Sequence, residues 1–438
     1  MKRAHKGTFQ KSSTKAEEQE PLSGGQTVYE SVSRPLTAFT SYIRHGIQTV
    51  RESLFALLVS TLTAVSAGVF LSRSEELLLL IPGLIILVPG ALDIRGAIFG
   101  ALGSRLGSAL HLGYIEEFSL SNRHVRRNIY STMTQTIVVS VLLAFFAKLL
   151  ASFFGFADVS LFELIAISFL GGVIAGLILL FMTFLIAMKS YQRGWDPDNI
   201  HAPLITALGD FITVPSLLLA TTIVLDMRPF LDFFVISVIT VALANAVLLF
   251  RHEDKDFKRA VFISLAAVTL SGFVSSMSGI LLHSNIERLV AVPTILIMLP
   301  AFLGQGGNIG NTLASRISTK LHLGQLDPEL RLEREIKREF VSSYLLAAIV
   351  FVFVAVLTHI ADIIFHIPAL GLKMTLAISL FAGIALTTIV IMLTFLISVM
   401  AYRHKVDPDD VTIPLITALA DIMGVFALIA TLGIFGII

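Results

Sequence analysis

The sequence contains no cysteine. That removes a disulfide frame, a thiolate metal site and any thiol chemistry, and it leaves the redox compartment open. Charge is scarce too: 14% of the residues are Asp, Glu, Lys or Arg, against about 25% in soluble domains. With 55% hydrophobic residues, a water-soluble globule is excluded. Net charge is nearly absent, +1 over 438 residues, and no nucleic-acid partner is expected. The first residues are polar and basic without a short apolar core, so no cleaved signal peptide is expected. No spacing of His, Cys and carboxylates resembles a transition-metal site, and no cofactor is expected.

What the chain does hold is a series of apolar stretches of about 20 residues, each long enough to cross a hydrocarbon core about 30 Å thick. Eleven spans are read at 52–72, 77–110, 129–152, 163–188, 202–225, 230–250, 261–283, 288–321, 341–363, 374–400 and 412–436. The fold class is therefore all-α, a polytopic membrane protein embedded in lipid. Residues 1–50 form a cytosolic polar tail, of which 1–30 cannot bury enough apolar surface to fold. Within it Leu36, Phe39, Ile43, Ile47 and Val50 recur at helical spacing beside Arg34, Arg44 and Arg51. This fits an interfacial amphipathic helix and fits equally an inward continuation of the first span.

Lys and Arg set the orientation. With the N-terminus inside, they gather on the inner segments, while the outer loops hold only Arg73, Arg228, Arg288 and Lys373. Lys148 and Arg95 fall within spans. The C-terminus is then outside, and the plasma membrane is the expected location.

The chain is written twice. Pro203-Leu204-Ile205-Thr206-Ala207-Leu208-Gly209-Asp210 returns as Pro414-Leu415-Ile416-Thr417-Ala418-Leu419-Ala420-Asp421. Pro82 and Pro293, Pro89 and Pro300, Arg105 and Arg316, His111 and His322, Thr183 and Thr394, and Asp196 and Asp407 are likewise 211 residues apart. One constant offset means a gap-free duplication. It divides the chain into a first five-helix repeat (51–226), a linking helix and loop (227–260) and a second five-helix repeat (261–438). Five is odd, so adjacent copies would insert upside-down to each other. The span at 230–250, whose counterpart 211 residues earlier is polar, restores the orientation. A parallel pseudo-dimer about an axis along the membrane normal is expected, complete within one chain and so able to act as a monomer.

Asp210 and Asp421 stand where a span should be oily, and an intramembrane carboxylate marks a functional site. The second helix of repeat two reads Gly304-Gln305-Gly306-Gly307-Asn308-Ile309-Gly310-Asn311. Its small residues allow close helix approach, and Asn308 and Asn311 offer hard oxygens suited to Mg²⁺ or Ca²⁺. Bonding across helices is the alternative for both asparagines. Repeat one places Ala97, Gly100 and Asp93 against Asn308, Asn311 and Gly304. Asp93 and Arg95 either neutralise each other or flank the path. Asp196-Pro197-Asp198 and Asp407-Pro408-Asp409-Asp410 precede the fifth helices. Each is a turn and helix start on its own, and the two together suggest an acidic cytosolic mouth. Fourteen residues of helix rise roughly 21 Å, which sets Asp210 and Asp421 deep in the bilayer. His111, His322 and Trp195 are read as interfacial, and 328–340 as a salt-bridged helical face.

Gly306-Gly307-Asn308, Ala314-Ser315-Arg316 and the two Asp-Pro-Asp…Pro-Leu-Ile-Thr-Ala-Leu-Gly/Ala-Asp segments resemble the membrane domain of the MgtE magnesium channels. They resemble still more its eukaryotic solute-carrier branch, which also carries the domain twice. The resemblance implies that Asp210 and Asp421 line an ion path at the two-fold axis and that Asp196 and Asp407 match the family's cytosolic turn. This sequence departs from the pattern in lacking the Asn in repeat one. The roughly 50 residues ahead of the first span also leave no room for the magnesium-sensing domains of the bacterial channels.

The expectation is a transporter or channel for a divalent cation, foremost Mg²⁺, with one pore between the repeats and no enzymatic activity. Its candidate metal contacts are Asp210, Asp421, Asn308, Asn311, Asp196, Asp407, Thr206, Thr417 and Asp93. A Na⁺-coupled Mg²⁺ exchanger is the nearest alternative. An intramembrane aspartyl protease, which also needs two membrane aspartates, is remote because its carboxyls share a proton about 3 Å apart and usually lie in dissimilar motifs.

A chain without cysteine suits labelling with single introduced cysteines. Labels at 226–229 and near the C-terminus are expected on the same, outer side of the membrane. Opposite sides would refute parallel repeats.

Overall fold

A computed structural model of the chain describes residues 54–437 apart from 112, 116–120, 157, 193–196, 252–253 and 407. The segment expected as an interfacial helix at 36–50, and Trp195, lie outside the described residues. Among the described residues the regular structure is helical throughout, the arrangement that lets a backbone satisfy its own polar groups in lipid.

The α-helices follow in order. Repeat one contributes α1 (Leu54–Ser72), then α2 (Glu75–Leu80), α3 (Leu84–His111), α4 (Arg123–Phe153), α5 (Leu161–Gln192) and α6 (Pro197–Asp226). A linking helix, α7 (Leu231–Phe250), comes next. Repeat two contributes α8 (Lys255–His283), α9 (Ile286–Val290), α10 (Pro293–His322), α11 (Arg334–Ile364), α12 (Leu372–Arg403) and α13 (Pro408–Ile434). An offset of 211 carries α4 onto α11 and α5 onto α12 residue for residue. The same offset brings the end of α1 to the end of α8 and matches α2, α3 and α6 with α9, α10 and α13 to within a few residues. α7 has no counterpart among the described residues. Side-chain detail repeats as well: Ser168 donates to the Ser140 carbonyl at 2.7 Å, and Ser379 to the Phe351 carbonyl at 2.7 Å.

The stretches expected as single spans at 77–110 and 288–321 are each broken in two. α2 ends before Pro82 and Gly83, and α9 ends shortly before Pro293 opens α10. Proline has no N–H to extend a preceding helix but suits the first turn of a new one. Gly83 takes φ +90°, and a Cβ there would press to 2.7 Å on Val159; both demands call for glycine.

Among the described residues ten helices are long and apolar enough to cross a membrane. The eleventh expected span, now α10, is not among them, because its Gly, Asn, Thr and Ser content dilutes its apolarity. It is still 30 residues long, and most of them are buried. A polar helix is tolerated at membrane depth where protein rather than lipid surrounds it. α7 is the reverse: only 22% of its apolar window is buried, and it rests against α4 and α5. The 328–340 stretch carries ion pairs, Arg331 to Glu329 at 3.0 Å and Arg338 to Glu335 at 2.7 Å, but only from Arg334 is it helical, so the first pair lies in the loop before α11. Lys320 of α10 joins them, 2.9 Å from the buried Glu339.

The first helix of each repeat crosses to the other. Gly68 of α1 lies against the backbone of Ile297 in α10, and its equivalent Gly279 of α8 lies against the backbone of Ile86 in α3. Cβ atoms there would come within 2.0 Å and 2.4 Å of the facing carbonyl oxygens. α2 and α9 also touch each other, which places the two-fold axis between these equivalent elements. Arg73, just beyond α1, donates to the carbonyl of Phe365 at the end of α11 at 2.8 Å and stacks on its ring. The ends of α1 and α11 thus share one side of the bundle. The ends of α8 and α11 share it too, since two helices turn back between them, so the repeats run parallel.

The crossing depends on bare glycine. Gly68→Leu and Gly279→Leu should each destabilise the protein by about 3 kcal/mol, as overpacking against backbone does. Gly433→Leu, where nothing lies within 4 Å, should cost far less. Thermal unfolding in detergent checks this; equal midpoints for all three would remove the crossing from the stabilising contacts.

Candidate functional site

The fifth helices α6 and α13 carry the two repeated aspartates, and glycine on the second helices decides where they sit. Cβ atoms at Gly96 and Gly307, equivalent positions of α3 and α10, would lie 3.3 Å and 3.4 Å from the methyl groups of Thr206 and Thr417. A Cβ at Gly310 would reach Ile416 at 2.4 Å. The backbones therefore approach closely, and one turn beyond each threonine stand Asp210 and Asp421. The close approach expected of Gly306 and Gly310 is present: Gly306 accommodates Leu386 of α12, and Gly310 accommodates Ile416 of α13 and Val390 of α12.

Asp210 and Asp421 act electrostatically on one another, and Asp93 of α3 acts on both. Asp421 is 5% exposed. Ser275 of α8 stands between repeats, its hydroxyl bonded to Asp93 and within hydrogen-bonding reach of Asp421. Ser271, one turn earlier, is within hydrogen-bonding reach of Asp93 too. Three carboxylates, two of them from repeat one and one from repeat two, thus meet beside α8 in the middle of the bundle. Like charges gathered away from bulk water repel strongly, because screening there is weak. A cation relieves that repulsion, and a divalent one relieves more of it.

The other half of the two-fold arrangement differs. The position equivalent to Asp93 is Gly304, where an added Cβ would meet nothing within 4 Å. In place of Ala97 it has Asn308, which donates weakly to Ser60 of α1 at 3.4 Å. Gln305 reaches the same Ser60 hydroxyl and the Leu57 carbonyl, both at 3.4 Å. Asn311 donates to Thr417 at 2.9 Å, the cross-helix bond that was its alternative role. Its counterpart Gly100 leaves the Thr206 hydroxyl facing a bare backbone.

Asp93 and Arg95 form no direct ion pair. Two residues along a helix turn a side chain by about 200°. The Arg95 guanidinium therefore points away from Asp93 and donates instead to Ser140 of α4 at 2.8 Å, against Gly172 of α5.

Asp196 and Asp407 lie outside the described residues. Among the described residues no three His, Cys, Asp or Glu side chains converge closely enough to chelate one metal ion directly. Sequence reasoning missed the serines. Ser60 and Ser271 are 211 residues apart, so the repeat offset would have exposed them. Ser275 faces Ala64 in that register and gave no such signal.

Comparison with known proteins agrees with this architecture. The chain matches the MgtE family, described as a divalent cation transporter, over residues 88–220 and again over 299–431. It is 24% identical over 403 residues to solute carrier family 41 member 3 of Rattus norvegicus, covering 86% of this chain and 85% of the relative. It is 25% identical over 397 residues to solute carrier family 41 member 2 of Mus musculus, covering 85% and 68%. The human member 2 is 24% identical over 292 residues, covering 64% and 50%. No solved structure matches the chain. Two family domains related by the same offset as the helices, each with its aspartate on a fifth helix, make the chain a member of the MgtE family of divalent cation transporters.

Proposed function

We propose that the protein carries Mg²⁺ along a path between its two repeats, with Asp210, Asp421 and Asp93 as the groups that hold the ion. The observation that supports this most directly is the meeting of the three carboxylates, from both repeats, around Ser275. Mg²⁺ keeps its octahedral water at about 2.0–2.1 Å and sheds it reluctantly. Carboxylates too far apart to chelate a bare ion suit a hydrated one, gripped through its waters. Hydroxyls of Ser275, Ser271 and Ser60 and the amide of Asn308 supply further partners for those waters. Thr206 and Thr417 sit one turn nearer the cytosol, and Asp196 and Asp407 would form the acidic mouth beyond them. The N-terminus is then cytosolic, the C-terminus external, and the membrane the plasma membrane.

Flux of Mg²⁺ into liposomes at controlled voltage, with and without a Na⁺ gradient, tests the reading and separates a uniporting path from Na⁺-coupled exchange. Asp210→Asn and Asp421→Asn each keep shape and remove one charge. A charged partner is worth about 1.5–3 kcal/mol, so each single variant should lose roughly tenfold or more in flux. The double variant should add little, since both act on one site. Near-normal flux in both folded singles would make the aspartates helix glue and end the proposal.

Protons compete with the cation for the same carboxylates, so transport should fall as pH drops, and raising Mg²⁺ should partly restore it. A flux that rises on acidification at fixed voltage would contradict this. Asn308→Ala should impair transport more than Ala97→Ser, because only repeat two offers an amide at this depth; equal losses would return Asn308 to packing.

A further inference from the structure

Arg95 is 2% exposed and has no ion-pair partner among the described residues. One of its nitrogens bonds Ser140; Nε and Nη1 are buried without a hydrogen-bond partner. A guanidinium kept in this state is costly unless something else in the molecule favours its charge. Packing does not require it. In repeat two the equivalent of Arg95 is Gly306 and that of Ser140 is Phe351, and the niche is filled with apolar atoms. There a Cβ at Gly383, equivalent to Gly172, would lie 2.4 Å from the Phe351 ring, and a Cβ at Gly306 would lie 2.5 Å from Leu386. The same fold thus closes this niche with a ring and a leucine when no charge is wanted.

The position of Arg95 shows what its charge acts on. Its Cβ lies 4.0 Å from where a Cβ on Gly209 would sit, so Arg95 is level with Asp210, the next residue. Its guanidinium is on the far side of α3 from Asp93, roughly the width of one helix, about 10 Å, away. Lys148, the next cation along α4, stands two turns beyond Ser140. Compared with repeat two, α3 carries one added negative charge, Asp93 for Gly304, and one added positive charge, Arg95 for Gly306. Three carboxylates against one guanidinium leave two net negative charges in this layer, as two carboxylates alone would.

We propose that Arg95 is a positioning residue for the ion path, a buried counter-charge that offsets Asp93 from across α3 and keeps the site at two negative charges, matched to one divalent cation. This rests on the reading of Asp93, Asp210 and Asp421 as the ion site. Without Arg95 the site carries three negative charges, holds the ion more tightly and releases it more slowly. With the charge matched, Asp93 keeps its serine-bound contact without turning the site into a trap.

The test is saturation of Mg²⁺ flux in liposomes for the wild type, Arg95→Met, Arg95→Lys, Asp93→Asn and the Asp93→Asn/Arg95→Met double variant. A unit charge at about 10 Å in a weakly screened interior shifts divalent binding by about tenfold or more. Arg95→Met should lower the half-saturating Mg²⁺ concentration by about that factor and lower the maximal rate too. Arg95→Lys should stay near wild type. Asp93→Asn should raise half-saturation about tenfold, and the double variant should return to within about threefold of wild type. A purely structural Arg95 predicts that removing Asp93 restores nothing, and a double variant no better than Asp93→Asn overturns the proposal. That comparison holds even if Arg95→Met alone fails to fold. Absence of any divalent flux in the wild type would instead strike the reading of the site itself.

Discussion

The rest of the structure depends on mutual repulsion among carboxylates gathered inside the bundle, where screening is weaker than in bulk water. Asp210, Asp421 and Asp93 act on one another inside a bundle whose outer surface is made for lipid. Such a cluster persists only if surrounding elements are rigid and if its charge is offset by a cation, by hydrogen bonds or by both. The glycine contacts of α6 with α3 and of α13 with α10 supply the rigidity, because close backbone packing leaves the fifth helices little freedom to withdraw their aspartates. The serines of α8 supply hydrogen bonds. On the proposed reading of the site, the remaining demand for positive charge favours a divalent ion.

Much of the fold was legible because it is periodic in two senses. Apolar stretches of membrane length marked all eleven long helices, α10 among them despite its diluting asparagines and glycines, and the 211-residue offset then paired them. The offset also required the unmatched helix α7, since parallel copies of five spans cannot otherwise follow one another. The breaks at Pro82 and Pro293 were less visible: apolar residues continue on both sides, and a hydropathy pattern carries no record of a chain turning between a short helix and the long one that follows it.

The site was legible only as far as symmetry reached. Asp210 and Asp421 stood out because a carboxylate is costly in an apolar span, and the chain bears that cost twice at one register. Asp93 and Arg95 were visible as charges, but their partners were not. A spacing of two residues suggested an ion pair in the sequence, and helix geometry sends the two side chains in opposite directions. The contribution of α8 was invisible for another reason. Ser271 and Ser275 reach Asp93 only because the first helix of repeat two lies against α3 of repeat one, a contact between segments about 180 residues apart.

That exchange of first helices also governs how the chain can be made. α1 is inserted first, yet the carbonyl that seats Gly68 belongs to Ile297 and emerges about 230 residues later. At roughly 5–20 residues per second the ribosome needs on the order of 10–45 s to deliver it. During that interval α1 lacks its final neighbour, and the surface of α3 that will receive α8 is open. Neither half can reach its finished form before the other is threaded. The duplicated chain is thus a single cooperative object in biosynthesis, and one half released early would expose a notch shaped for a helix it does not possess.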